Sequence, residues 1–158
     1  VSDYGIDNTE PVNIEVGRYA LRTFKIVDGQ LASIIQNGSH WKDGVCEAVC
    51  VKYKPGTDGE GVHAAPAAGC HCGVYGTLTL AALYRQYAQH ACGIVAVIAA
   101  EGITFIGDVG LRTAAARVVS YWCSDELPLA DQAVCAAQSG GARRFHDVTV
   151  MTRLYGLT

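Results

Sequence analysis

The chain has 158 residues, half of them hydrophobic and only 17% charged, which excludes an intrinsically disordered protein and allows a sizeable core. A net charge of -3 excludes the strong basic excess of a general nucleic-acid coat, where cations must displace many counterions. The first fifteen residues carry Asp3, Asp7, Glu10 and Glu15 with no Lys or Arg. They read as a solvated acidic tail, 1–15, ahead of a single globular domain over 16–158. That start has no apolar stretch of the signal-peptide kind, and the longest apolar run, Cys92 to Ala100, is too short to cross a bilayer. A cytoplasmic location is therefore the expectation.

Gly17 to Val27 alternates in the period-2 manner of a strand. Asp28-Gly29 is a tight-turn pair, so Leu31 to Gln36 reads as the return strand of a hairpin, closed by Asn37-Gly38. A third strand is predicted over Val45–Lys54, with Val45, Val49 and Val51 on one face and Cys46, Ala48 and Cys50 on the other. Pro55 to Gly69 is a Gly/Ala/Pro-rich connection without apolar periodicity. Within it, Gly56 to Gly61 lacks the Lys-Ser/Thr ending of a phosphate-cradling loop and reads as a linker.

Leu80, Leu83, Tyr84, Tyr87 and Ala91 share one face of a helix predicted from Thr77 to Ala91, with Thr77 or Thr79 as its cap and Gly93 as its stop. Ile94–Ala100 and Ile103–Ile106 read as two buried strands joined by a hairpin at Glu101-Gly102. Arg117 to Trp122 reads as a further strand, with a helix as the alternative because alanines precede it. A short helix should start near Pro128 and stop at Gly140-Gly141, and Val148 to Met151 is the expected last strand. Trp41, Trp122, Tyr84 and Tyr87 read as core or rim packing. The sum is an α+β protein: a mostly antiparallel meander or partly closed barrel with one or two helices packed on it.

The strongest chemical signal is the series Cys46, Cys50, His63, Cys70, His71 and Cys72. Seven cysteines, an odd number, in a chain read as cytoplasmic are first taken as reduced thiols or metal ligands. A tetrahedral zinc site takes four such ligands from two segments and closes a loop that cannot order itself. Cys50, His63, Cys70 and Cys72 are the preferred set, with Gly69 and Gly73 giving the backbone room to turn about the ion. Two other readings stand beside it. Cys46 and Cys50 could be buried strand residues with Cys70 and Cys72 as loop thiols, or Cys70 or Cys72 could be a reactive thiolate with His63 or His71 as its base. Cys92, Cys123 and Cys135 lie in apolar surroundings and read as packing.

The run His63-Ala64-Ala65-Pro66 followed by Cys70-His71-Cys72-Gly73-Val74-Tyr75 resembles a pattern in small uncharacterised proteins of actinobacteria and their bacteriophages. Gly102, Gly110, Arg112 and Ala115 fall at intervals similar to theirs. The resemblance covers about the middle two thirds of the chain. It implies a shared architecture and the metal site, and no activity.

Three functional classes follow. The leading one is a non-enzymatic interaction module that zinc holds together and that engages a protein partner, a host protein if the chain is phage-encoded. The second is a nucleic-acid-binding zinc module using Arg143, Arg144 and Arg153 interleaved with Phe145 and Tyr155. The third is a zinc- or thiol-dependent enzyme.

Overall fold

A computed structural model describes residues 6, 10–35, 40–50 and 63–158, apart from the side chains of 14–16. The linker Gly56–Gly61, the turn Asn37-Gly38 and the expected strand residues 51–54 lie outside these. β1 (Val12–Arg22) begins inside the stretch read as a tail, where Val12, Asn13 and Ile14 pair with Thr104, Ile103 and Gly102. It ends earlier than the predicted strand. The Thr23 hydroxyl donates to the Ile94 carbonyl (2.7 Å) and Phe24 turns into the core, so the ladder stops before β2 (Lys25–Val27). β2 folds back on β3 (Gln30–Ala32). Asp28 and Gly29 between them both have positive φ, 51° and 73°, the turn whose twist suits a hairpin.

The same Asp-Gly turn recurs at Asp43-Gly44 (51° and 75°) and joins β4 (Trp41–Lys42) to β5 (Val45–Glu47). β5 is shorter than predicted, yet Cys46 and Cys50 are buried while Val45 and Val49 are exposed, as the alternation requires. β6 (Val74–Thr77) leads into α1 (Leu80–Ala91). Of the two cap candidates it is Thr79 that accepts from the Ala82 amide (3.1 Å), Thr77 being part of the strand.

The expected hairpin at Glu101-Gly102 does not form. β7 (Ile94–Ile106) is one strand, and the chain turns only at 107–109 before β8 (Gly110–Cys123), which contains Arg117–Trp122. Glu101-Gly102 is a bulge instead, marked by a register shift against β8 and by φ of 78° at Gly102. Its backbone is satisfied from within the sheet: the buried Thr113 hydroxyl donates to the Glu101 carbonyl (3.0 Å), and the Thr104 hydroxyl lies 2.7 Å from it. A glycine at positive φ suits a bulge as well as a turn, and pairing on both sides of β7 carries the strand through.

α2 (Leu129–Gln138) is the predicted short helix after Pro128, followed by β9 (Arg143–Phe145). The last strand expected over Val148–Met151 is a helix, α3 (Val148–Leu154). Asp147 caps it by accepting from the Thr149 and Val150 amides (2.8 and 3.2 Å), and helical spacing lets Met151 be buried while Val150 faces out.

The main sheet has the order β4-β5-β8-β6-β1-β7, with β9 parallel to β8. Because β7 also pairs with β8, strands β8, β6, β1 and β7 close on one another. The result is a mostly antiparallel, partly ring-closed sheet with helices packed on it, in the α+β class. Ile94, Ala96, Ile98 and Ala100 meet Phe24, Leu111 and Tyr121 on one face, while Val95 and Val97 meet Leu83, Met151 and Leu157 on the other. Burial of both faces explains the unbroken apolar run of β7. No helix among the described residues is long and apolar enough to cross a membrane.

Candidate metal centre

The fold separates the six candidate ligands. Cys46 lies in β5 with its side chain in the core among Ala20, Phe24 and Val74, and burial pushes its thiol up although the Arg22 charge pulls the other way. His71 is exposed and offers its carbonyl to the Tyr75 hydroxyl (2.7 Å). The other four converge. One ligand atom from each of Cys50, His63, Cys70 and Cys72 lies within 4.8 Å of all the others. Cys50 Sγ is 3.8 Å from Cys70 Sγ, and His63 Nε2 is 3.3 Å from Cys72 Sγ. A tetrahedral ion with metal–sulfur bonds of about 2.3 Å and a metal–nitrogen bond of about 2.0 Å sets those edges at about 3.8 and about 3.5 Å. The cluster is thus the right size and chemistry to hold a metal ion.

Local chain geometry aims the ligands. Cys50 follows β5, on the buried side of its alternation. Cys70 closes a turn in which its amide donates to the Ala67 carbonyl (3.3 Å) and Gly69 takes φ of 74°, a conformation open to glycine at little cost. Gly73 meets a second demand. Its φ is 131°, and a Cβ there would stand 3.2 Å from the Cβ atoms of both Pro66 and Arg112. The two glycines therefore let Cys70 and Cys72, one residue apart, face a common point.

Arg112 is the residue that the cysteine and histidine pattern does not expose. It is 4% accessible on β8, its guanidinium lies 4.2 Å from the Phe105 ring centroid, and it donates to the carbonyls of Cys72 (2.9 Å) and Ala67 (3.1 Å). It grips both ends of the Ala67–Cys72 turn. In the sequence only its spacing from Gly102 and Gly110 marks it.

The thiols of the cluster influence one another. Burial disfavours a Cys70 thiolate, but hydrogen bonds from the Cys72 backbone and side chain, from Cys50 and from His63 outweigh burial and bring Cys70 down from 9.0 to about 6. Burial, and then the neighbouring Cys70, push Cys72 up to about 11. Without a cation the group favours one thiolate. A bound divalent ion favours all three.

The remaining candidates are placed apart. Cys92 is exposed, correcting its reading as a packing residue, because it caps the C-terminus of α1 where the chain leaves the core. Cys123 and Cys135 are buried as expected, and burial pushes both thiols up, Cys135 to about 12. Arg143 lies over the buried Phe145 ring (4.3 Å), Arg144 bonds Asp125 and Gln132 (3.1 and 3.2 Å), and Arg153 is exposed on α3. Phe145 faces the core, and Tyr155 packs edge-on against Tyr19. The Arg/aromatic interleaving of the sequence is thus partly spent on packing.

No known family model, curated protein or solved structure matches the chain.

Two outcomes follow from this geometry. Replacing Arg112→Gln frees both turn carbonyls and should weaken metal binding by about 10–100-fold with the fold retained, measured by competition with a chromophoric chelator; unchanged affinity would show that Arg112 does not position the ligands. Binding needs three thiolates where the metal-free group favours one, so it must displace two thiol protons across the neutral range, and the Cys70 proton as well below about pH 6. Apparent affinity should therefore fall about a hundredfold per pH unit from 8 to 6.5 and more steeply below 6, and a flat profile would contradict the ligand set.

Proposed function

We propose that this chain is a non-catalytic interaction module whose Cys70–Cys72 turn is stapled to the end of β5 by one structural zinc ion, bound by Cys50, His63, Cys70 and Cys72. The observation that carries this reading is the gathering of three thiols and one imidazole within 4.8 Å of one another, with one S–S and one N–S distance close to tetrahedral edges. Zinc is the ion that a Cys3His set of this size suits, since thiolate and imidazole are its preferred ligands and tetrahedral its usual structural geometry. Four protein ligands complete that shell. A catalytic zinc needs a position left for water, which is why the structural role is favoured over the enzymatic one.

Cys50 follows β5 on one side of the Gly/Ala/Pro-rich linker and His63 stands on its other side, so the ion would tie the two together. A protein partner is supported by large apolar side chains left in solvent: Val150 and Leu154, one turn apart on α3, and Leu129 on α2. The resemblance of the His63–Tyr75 motif to actinobacterial and phage proteins supports a host protein as that partner if the chain is phage-encoded. Free thiols suit a reducing compartment, in line with a cytoplasmic setting.

Elemental analysis of protein purified without a metal-affinity tag should give about one zinc per chain. Cys70→Ser and Cys72→Ser should each lower that occupancy. With free zinc about 1,000-fold above Kd the ion contributes about 4 kcal/mol, so a strong chelator should lower Tm by about 10 °C. Full-length protein free of zinc, with a Tm indifferent to added zinc, would refute the staple. For the partner, Leu154→Asp should abolish a one-to-one complex isolated with the wild-type chain, while equal recovery of that complex would move the contact elsewhere.

A further inference from the structure

Beside the metal-binding turn lies a cleft of about 220 Å³. Its lining includes Cys50, Cys70 and Cys72, Leu83 and Tyr87 of α1, and Leu21 and Arg22 at the end of β1. We propose that this cleft binds one small neutral aromatic molecule, a single substituted ring carrying a hydrogen-bond acceptor.

Size sets the first limit. An engineered apolar cavity of about 150 Å³ accepts benzene, so the present volume takes one ring with a short substituent and no fused polycycle of drug size. Wall chemistry sets the second. Leu21, Ile34, Ile35, Val49 and Leu83 make most of the lining apolar, which favours a ring over a sugar or a phosphate.

Charge sets the third limit. The Arg22 guanidinium is fixed in the wall by bonds to the Tyr75 carbonyl (2.7 Å) and the Ser33 hydroxyl (2.6 Å), and it lies 5.3 Å from the Trp41 ring centroid. It disfavours a cation. Three thiolates around one zinc ion would carry a net negative charge beside the cleft and disfavour an anion. This last step alone rests on the zinc reading; volume and apolar lining do not.

The acceptor is matched by Tyr87. Its backbone, with φ of -136° and ψ of 42°, breaks the regular geometry of α1 at the point where the helix borders the cleft. Its hydroxyl receives a bond from Gln86 Nε2 (3.1 Å), and a phenol that accepts retains one O–H to donate. Tyr87, whose spacing reads as core or rim packing, thus brings a hydroxyl donor to a mostly apolar cleft.

The test is a methyl NMR titration of the full chain with acetophenone, a single ring bearing a carbonyl, with zinc content measured on each sample. Saturable one-to-one shifts should appear at the methyls of Leu21, Leu83 and Ile34. Benzoate and benzylamine, close in size but charged, should bind at least about tenfold more weakly. Tyr87→Phe should weaken acetophenone about fivefold, the value of one hydrogen bond, and leave toluene unaffected. Ile35→Trp, at a half-exposed position lining the cleft, should block both ligands without altering zinc content. Absence of saturable shifts at those methyls, equal binding of benzoate, or loss of toluene together with acetophenone in Tyr87→Phe would each overturn the proposal. Protein that purifies without zinc, has a Tm indifferent to added zinc and still binds acetophenone would refute the staple and leave the cleft standing.

Discussion

Three thiols and an imidazole gathered within 4.8 Å pose an electrostatic problem that the rest of the structure is arranged around. A lone thiolate at Cys70 is stabilised by its neighbours' hydrogen bonds, and its charge then holds the Cys72 proton in place. A second and third thiolate require positive charge at close range. Arg112 holds the turn by its carbonyls, and a divalent ion among the sulfurs would supply that charge. Three thiolates around it would keep one net negative charge, and a short glycine-flanked turn would gain four bonds where its own backbone offers little.

The sheet makes that gathering possible. β8 pairs with β5, β6, β7 and β9, so one strand sets the position of both segments that bring cysteines to the site. Cys50 follows β5 on one side of β8, and Cys72 precedes β6 on the same strand's flank, where Tyr75 pairs with Arg112. Arg112 stands at the junction. Its side chain reaches across to the Cys72 and Ala67 carbonyls, and stacking on Phe105 holds the guanidinium where those carbonyls need it. Register in the β6–β8 ladder is thereby coupled to ligand geometry.

The cleft and the metal site share a wall, which joins the two readings physically. A ligand seated against Leu83 and Tyr87 would touch the face of the turn that the ion holds, so ordering either one reduces the entropy left for the other to remove. Positive linkage of this kind is a means for a small domain to report an occupant to a partner. The exposed apolar residues of α3 lie on an element packed against the same second core as Leu83, which includes Met151 and Leu157.

Several features were legible from residues a few positions apart. The Asp28-Gly29 hairpin, the Thr79 cap, the helix after Pro128 and the Cys/His knuckle with its two glycines each depend on local backbone preferences, and each stands in the fold. Asp43-Gly44 carries the same turn signal and Asp147 the same cap signal, but the β-branched residues of Val148 to Met151 mimic a strand in sequence. Other decisions belonged to the tertiary structure. Whether Glu101-Gly102 turns or bulges depends on strands pairing across both edges of β7. Which four of six ligands meet depends on where β5 ends once it is docked on β8: Cys46, inside the strand, is held in the core, and Cys50, beyond its end, reaches the turn. Arg112 could not be singled out because its partners, Ala67 and Cys72, are 45 and 40 residues away in the chain. Local sequence determines which conformations and ligands are offered; long-range pairing determines which of them come within bonding distance, because that distance is set by contacts between segments no short window contains.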